Sequence, residues 1–508
     1  MKLVVPRYGS DVVGLPDRAM VMSNSERSTA ACPLKWLFSY GDGLRPVKRQ
    51  APLEMGSAVH ACVEDVHTWF MRFDTTYPGD GSRCVWCSGQ ARVPAGRDVG
   101  ESTVTMPCPT CSGTGQGPVA LGRTAFLDYA LADQSGEYDL DTAAHDAEKL
   151  ARIFGGWLHT YGADPHPQLR VVAPEMKLAV PVRGPSGAKY APRTWVVADD
   201  RGGLRVARTG EAHVPGARAV RWPLYQTLTL DAMLQHRDSG ALYVYECKTA
   251  ASPQRRMQSV SVDPQVQGYI YSAQQIVSAG LIAGVDRHST VAGYVYDVLA
   301  SGYQSDPKVL KADKVQQHDA DGLPLFVQSK ANGGGVGPTE TRRKAYLTDA
   351  DGDPILRSPG LSRNEKAGVP SWRYRAALVQ HGFDVADYED HLLNLMASVD
   401  PRLYVREEAT SGPEVGARYA RELYTVAQQL AGHRRKAAEL RNPEDRDRHF
   451  PRQPVCIAGY GCAYRAPCLQ DGDLVRKSFT VADPVRWLPD ANENNDGSTT
   501  APEEKLGW

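Results

Sequence analysis

The sequence predicts an α/β fold in which helices flank a central sheet, and three observations carry that prediction. Leu228 to Ala250 reads as two alternating strands around Asp238-Ser-Gly240, a β-hairpin. A capped helix starting at Asp263 separates this hairpin from a further alternating run, Thr290 to Leu299, which places a helix between two strands of one sheet. A helical pattern over Asp141 to Tyr161 leads into another strand, Val171 to Val182.

The 508 residues suffice for a large core and two to four structural units. With 58 basic against 59 acidic residues, overall charge favours no partner, so a nucleic acid would have to be met by a local basic groove. No apolar run approaches membrane-spanning length, and Met-Lys-Leu-Val-Val-Pro-Arg is no signal peptide; a soluble, cytoplasmic protein without a membrane partner is expected.

In chain order, Ser23-Asn-Ser25 caps a helix over Arg27 to Tyr40, interrupted early by Cys32-Pro33. A second helix runs from Leu53 to about Phe73 and carries Gly56 and His60 four apart on one face. Residues 74–122 change composition, being rich in Gly, Pro and Thr. Residues 183–224 read as a hairpin insertion with strand-like runs Thr194 to Ala198 and Leu204 to Arg208. Asp263-Pro264 opens the helix that carries Gln265, Gln267, Tyr269 and Tyr271. Residues 301–370 are polar and Gly-rich, an insertion; helices follow at 371–381 and 386–397, a strand at Leu403 to Glu407 and a long helix over 413–441. That helix holds Arg418, Arg421, Arg434, Arg435, Lys436 and Arg441, which read either as a solvated face or as a nucleic-acid contact. The domain reading is therefore 1–73, 74–122, a core over 123–300, 301–370, 371–485 and a disordered tail over 486–508.

The chemistry concentrates on the hairpin. Alternation puts Leu242, Val244, Glu246 and Lys248 on one face and Tyr243, Tyr245 and Cys247 on the other. Pairing across the turn brings Asp231 towards Glu246, so two acids and a lysine converge at one end of a small sheet. Such a set suits a hard divalent cation bound by oxygen, with an ammonium left for a phosphate or a water. A surface ion pair is the plainer alternative for these residues. Glu175, just before an alternating strand, is a further candidate acid.

Seven of the ten cysteines are clustered, and Cys32, Cys62 and Cys247 stand alone. Cys84, Cys87, Cys108 and Cys111 form two Cys-x-x-Cys pairs, each followed closely by Gly (Cys87-Ser-Gly89 and Cys111-Ser-Gly113), and predict a structural four-thiolate zinc module. Cys456, Cys462 and Cys468 lie within thirteen residues and need a fourth ligand. Cys62 and Cys247 read as core residues.

The order of these motifs resembles the iron-sulfur branch of the RecB-like PD-(D/E)XK nucleases, which includes AddB, the CRISPR-associated protein four exonucleases and related phage exonucleases. The resemblance rests on Cys32-Pro-Leu-Lys-Trp-Leu-Phe, Gly56-x-x-x-His60, Asp231, Glu246-x-Lys248, Gln265-x-x-x-Tyr269 and the C-terminal cysteine triplet, and covers about half the chain. It implies a restriction-endonuclease-like core with a mixed central sheet flanked by helices, plus the zinc module and an iron-sulfur-stapled helical region. It implies further that Asp231, Glu246 and His60 hold catalytic magnesium or manganese, that Lys248 assists the attacking water, and that Gln265 and Tyr269 contact the DNA strand. Cys32, Cys456, Cys462 and Cys468 would hold a four-iron four-sulfur cluster. The first gap in the triplet is five residues where two is usual, which keeps zinc as the alternative there.

The function implied is a metal-dependent DNA exonuclease acting on single strands or ends in recombination, replication or repair, with partners from those processes and a phage-encoded setting that fits the family. A non-catalytic DNA-end binding scaffold is the alternative from another class. A thiol redox protein fits less well, because the Cys-x-x-Cys pairs sit in a Gly-rich module rather than at a strand-to-helix turn.

Overall fold

The computed structural model describes residues 13–15, 19–46, 51–85, 88–90, 92–94, 105–107, 115–132, 138–162, 165–198, 204–302, 304–310, 326–328, 340–342, 360–363, 368–442, 445, 449–450, 464 and 479–481. The chain divides into two compact units, one built from residues 1–301 and 405–508 and the other from Gly302–Tyr404.

The first unit is organised by a six-stranded mixed sheet. Its strands are β1 (Met20–Ser23), β2 (Leu169–Pro181), β3 (Leu224–His236), β4 (Leu242–Ala250), β5 (Val291–Ala300) and β6 (Tyr404–Thr410). The main path runs β1-β3-β4-β5-β6, and β2 pairs with β3 along nearly its whole length. β3 and β4 form the expected hairpin, closed by the Ala241 carbonyl accepting from His236 N and by Gly240 at φ +73°. β4 and β5 are parallel, with Glu246 opposite Tyr296 and Lys248 opposite Val298.

Their crossover is helix α5 (Pro264–Ser278); the preceding helices are α1 (Asn24–Thr29), α2 (Ala51–Phe73), α3 (Pro118–Ala132) and α4 (Leu140–Tyr161). Asp263 explains where α5 starts. Its side chain accepts from Gln265 N at 2.8 Å, and Pro264 occupies the first turn, where a missing N–H costs nothing. Val266, Ile270, Ala273 and Val277 recur at helical spacing and join Leu242, Val244 and Val298 in one core. The opposite face of the sheet carries α2, where His67 meets the Tyr245 ring at 4.4 Å, and α4, where Trp157 reaches Asp297 of β5. The two sides of β4 are therefore served by different helices, as the alternation of its residues requires.

Helix α6 (Pro413–Glu439) completes this unit by packing on α5. The approach is close: a methyl group at Gly268 would lie 2.5 Å from the Tyr419 hydroxyl. A small antiparallel sheet, with Arg193–Ala198 between Leu204–Val206 and Arg218–Arg221, packs on the other end of α6 through Val197, Ala207 and Ala438.

Three expectations are corrected here. The helix over Arg27 to Tyr40 is in fact α1, a turn of helix at Pro33–Trp36 and a π-helical turn at Leu37–Gly41, because Pro33 cannot continue α1 and instead restarts the helix at its own first position. Residues 183–224 hold a three-stranded sheet rather than a hairpin. Helix α3 begins at Pro118, inside the block that composition had set apart as 74–122.

In the second unit, Val309–Leu310 pairs with Gly360–Leu361, and helices Ser371–Gln380 and Glu389–Ser398 enclose a core of Leu361, Tyr374, Leu378, Leu392 and Leu395. Asp400 accepts from both the backbone N and the hydroxyl of Ser371, at 2.9 and 2.5 Å. The residues expected as an insertion, 301–370, thus share one unit with the two helices that follow them. No helix among the described residues is long and apolar enough to cross a membrane. The expected tail, 486–508, lies outside the described residues.

Candidate active site

β3 and β4 pair over only four positions, from Leu242 opposite Gln235 to Tyr245 opposite Ala232. Beyond that point β3 turns to pair with β1, through Leu224 to Thr227, and the two central strands part. Asp231 is the first residue of β3 after the pairing stops. Its Oδ2 accepts from Cys247 N at 2.7 Å and so replaces the ladder bond that the parting strands give up. A buried backbone N–H without an acceptor would cost about 1–3 kcal/mol, so the carboxylate is held there by the fold.

The other candidate residues gather around this fork. His60 of α2 approaches from one side of the sheet, with Nδ1 3.0 Å from Asp231 Oδ1. On the other side, Lys248 Nζ is ion-paired to Glu246 Oε1, and Gln265 Nε2 of α5 donates to the same oxygen at 3.4 Å. Gln265 also bonds the Tyr269 hydroxyl one turn along the helix. Glu175 of β2 lies between Pro174, opposite Ala232, and Met176, opposite Leu230, so it stands across the ladder from Asp231. All six catalytic candidates, with Glu175, occupy one region.

The electrostatics are those of an acid cluster taken out of water. Burial, then the neighbouring Asp231 charge, push the Glu246 carboxyl up to about 7, with Lys248 opposing. Burial alone would also raise Asp231, but His60 and then Lys248 outweigh it and hold that carboxyl below its ordinary value. Burial would lower His60, and the Asp231 carboxylate reverses this and raises it. Lys248 behaves likewise: burial lowers it, while Glu246 and Asp231 lift it above the ordinary lysine range. Glu175 is raised by burial and by Asp231.

One atom of this cluster is left over. Glu246 Oε2 is buried and has no hydrogen-bond partner, although the residue is only 2% exposed. A carboxylate oxygen buried without a donor is costly, and a cation would satisfy it. Among the described residues no three His, Cys, Asp or Glu side chains form a ready-made cage. Magnesium does not need one, since it keeps several waters and is commonly held by one or two carboxylates plus substrate phosphate. The donor set therefore fits a hard, partly hydrated divalent ion.

Residues 24–95 match the PD-(D/E)XK nuclease superfamily. Members of that superfamily are typically metal-dependent nucleases that use magnesium or manganese. The matched span includes Cys32, Gly56 and His60, and the mixed sheet flanked by helices is consistent with a PD-(D/E)XK core. No curated protein matches the chain.

The cysteines are described only in part. Cys32 is half-buried and precedes Pro33, and Cys62, Cys84 and Cys247 are buried. Cys87, Cys108, Cys111, Cys456, Cys462 and Cys468 lie outside the described residues, so neither the zinc module nor the iron-sulfur cluster is shown.

Sequence reasoning passed over a second buried polar group on the reverse face of β4. Asp297 of β5, fully buried, accepts from Trp157 Nε1 at 3.0 Å, from the Tyr245 hydroxyl at 2.8 Å and from Arg406 Nε and Nη2 at 2.6 Å each. His67 and His166 meet Nε2 to Nε2 at 3.0 Å beside it. A lone carboxylate in the apolar run Val-Ala-Gly-Tyr-Val-Tyr-Asp297-Val-Leu-Ala was the available signal. Glu26 was also missed. It is buried, and takes Arg434 Nη2 at 2.6 Å and Trp36 Nε1 at 2.9 Å, so Arg434 belongs neither to a solvated face nor to a free basic one.

Proposed function

We propose that the chain is a metal-dependent DNA exonuclease that hydrolyses phosphodiester bonds of single strands or DNA ends, in recombination, replication or repair. The observation that carries this reading is the fork between β3 and β4, where Asp231 and the unpartnered Glu246 Oε2 meet His60 and Lys248.

In this reading the chain's own groups divide the work. Cys247 N and His60 each fix one oxygen of Asp231, so its carboxylate is already oriented for a cation. Glu246 offers Oε2 and His60 its remaining ring nitrogen. Lys248, kept charged by the two acids, stands ready to orient a water and to offset charge on the phosphate. Gln265 and Tyr269 line the α5 side and hold the strand. A bound divalent ion would supply charge neutralisation at the phosphate and lower the pKa of the attacking water.

The cysteine roles belong to the same proposal. Zinc on Cys84, Cys87, Cys108 and Cys111 is supported by the backbone around Cys84: Gly89 N donates to the Cys84 carbonyl at 3.0 Å, Ser88 and Gly89 have positive φ, and Arg83 bridges to Gln116. An iron-sulfur cluster on Cys32, Cys456, Cys462 and Cys468 would tie the start of the chain to its end, and visible absorbance with iron and zinc analysis of anaerobically purified protein would identify it. Purified protein with manganese is expected to degrade end-labelled single-stranded DNA, and Lys248→Ala to abolish this without unfolding the chain. Undiminished activity in that variant would overturn the assignment.

A further inference from the structure

A patch of arginines on the small sheet has no structural explanation in the fold itself. Arg193 and Arg221 stand directly opposite each other in the antiparallel pair of Arg193–Ala198 with Arg218–Arg221. Both are exposed. Like charges facing across a ladder are destabilising, and among the described residues neither has a carboxylate partner, nor does Arg435 of α6. Two of the three flank a tyrosine pair, and the third lies over a tryptophan of the same small sheet. Arg221 and Arg435 lie near enough to bear on the Tyr190 hydroxyl, the Tyr190 and Tyr424 rings meet edge to face at 5.2 Å, and Arg193 sits 5.7 Å above Trp195.

Nearer the fork, cations and rings also meet inside the same unit. Arg183 bears on Tyr271 of α5, Tyr271 meets Tyr419 at 5.6 Å, and Arg27 lies 4.7 Å over Tyr419 while donating to the Pro264 carbonyl at 3.2 Å. Pro264 opens the helix that carries Gln265. Tyr271 and Tyr419 are buried in the core, so these contacts anchor the α5–α6 packing beside the candidate active site and are not themselves a surface track.

We propose that the surface formed by Arg193, Arg221, Arg435, Tyr190 and Tyr424 binds single-stranded DNA, the strand that the fork would act on. The arginines would take phosphates, and the two half-exposed tyrosine rings would take bases, the combination that sequence-independent single-strand binders use. Duplex DNA would hide its base faces from the rings, and an acidic peptide would leave them unused. Because the whole chain carries a formal charge of only −1, the attraction has to be local, as it is here. The proposal rests on the nuclease reading for the strand's destination, but not for its binding.

The test is fluorescence anisotropy of a labelled single strand of about 30 nucleotides with the full chain in EDTA, so that binding is read without cleavage. The Arg193→Gln/Arg221→Gln/Arg435→Gln variant is expected to bind at least about tenfold more weakly, and to lower the slope of log Kd against log salt by about two, the loss of three phosphate contacts at about 0.7 each. Arg221→Gln alone, at an exposed site, should remove about a third of that slope. Tyr424→Leu should weaken single-strand binding more than duplex binding. Unchanged affinity and slope in the triple variant would overturn the proposal, as would equal competition by polyglutamate or duplex. The two readings fail separately, because binding in EDTA is read with no metal and no cleavage, whereas the nuclease reading is judged by cleavage with manganese. Loss of binding in the triple variant, with a parent that cleaves DNA with neither magnesium nor manganese, would uphold this surface and refute the nuclease.

Discussion

Asp231 Oδ2 lies 2.7 Å from Cys247 N, one residue past the last paired position of the two central strands. The same carboxylate that would ligate a cation therefore also closes the gap in the sheet. Asp231→Ala is expected to destabilise the protein by about 1–3 kcal/mol, since a buried N–H loses its acceptor. Asp231→Asn keeps an oxygen there and should lose less than half as much, while both variants lose cleavage. Urea unfolding beside an end-labelled DNA assay separates the two effects.

Glu246 presents the opposite balance. Its Oε2 is buried without a donor, so the metal-free protein bears the cost of a desolvated charge. Glu246→Gln keeps an acceptor for Lys248 and removes that charge, and should leave thermal stability equal or raised. Manganese should raise the melting temperature of the parent protein, because a ligand that binds only the folded state stabilises it. It should not do so in Glu246→Gln. Differential scanning calorimetry with and without manganese reads both, and a parent protein indifferent to the ion would refute the metal role.

How far the sequence showed this arrangement depends on the range of each interaction. Glu246 and Lys248 were legible because a strand's period of two puts them on one face with Val244, and Asp263-Pro264 announced α5 through local capping chemistry. The hairpin turn, too, was written in Asp238-Ser-Gly240. Glu26 and Arg434 were not legible, because their pairing joins residues 408 apart and neither shows a local anomaly. The fork itself was invisible: pairing along the hairpin was foreseeable, but not where β3 leaves β4 for β1. The match of residues 24–95 to the nuclease superfamily adds the helix of His60, yet the hairpin lies outside it.

Buried histidines give the protein a defined acid response. Burial, the leading cause, lowers His67 to about 4 and His166 well below its ordinary value. Unfolding lets both rings bind protons that the folded state refuses, so between about pH 4 and 6.5 the unfolded chain holds more protons and stability rises with pH. For His67 alone the contribution present at neutral pH is about 3 kcal/mol, lost progressively as pH falls from about 6.5 to 4. His67→Gln should flatten that part of the stability curve. Denaturant titrations at a series of pH values measure it, and an unchanged slope would mean the ring is protonated in the fold.

The Asp297–Arg406 pair sets the largest single cost. Asp297 is fully buried and Arg406 is its cationic partner, joining the last strand of the sheet to β5 and, through the Tyr161 ring 3.8 Å away, to α4. Arg406→Leu alone leaves a carboxylate inside the protein with only Trp157 and Tyr245 as donors, and should cost about 3–5 kcal/mol. Asp297→Leu together with Arg406→Leu removes both charges, and a desolvated ion pair is often no better than apolar packing, so the double variant should recover much of that loss. The coupling has a functional consequence, since Tyr245 is bonded to Asp297 and directly precedes Glu246. Arg406→Leu should thus reduce cleavage even where the chain remains folded, and the double variant should restore stability more fully than activity. A double-mutant cycle in urea, with DNA cleavage measured on the same preparations, tests both parts.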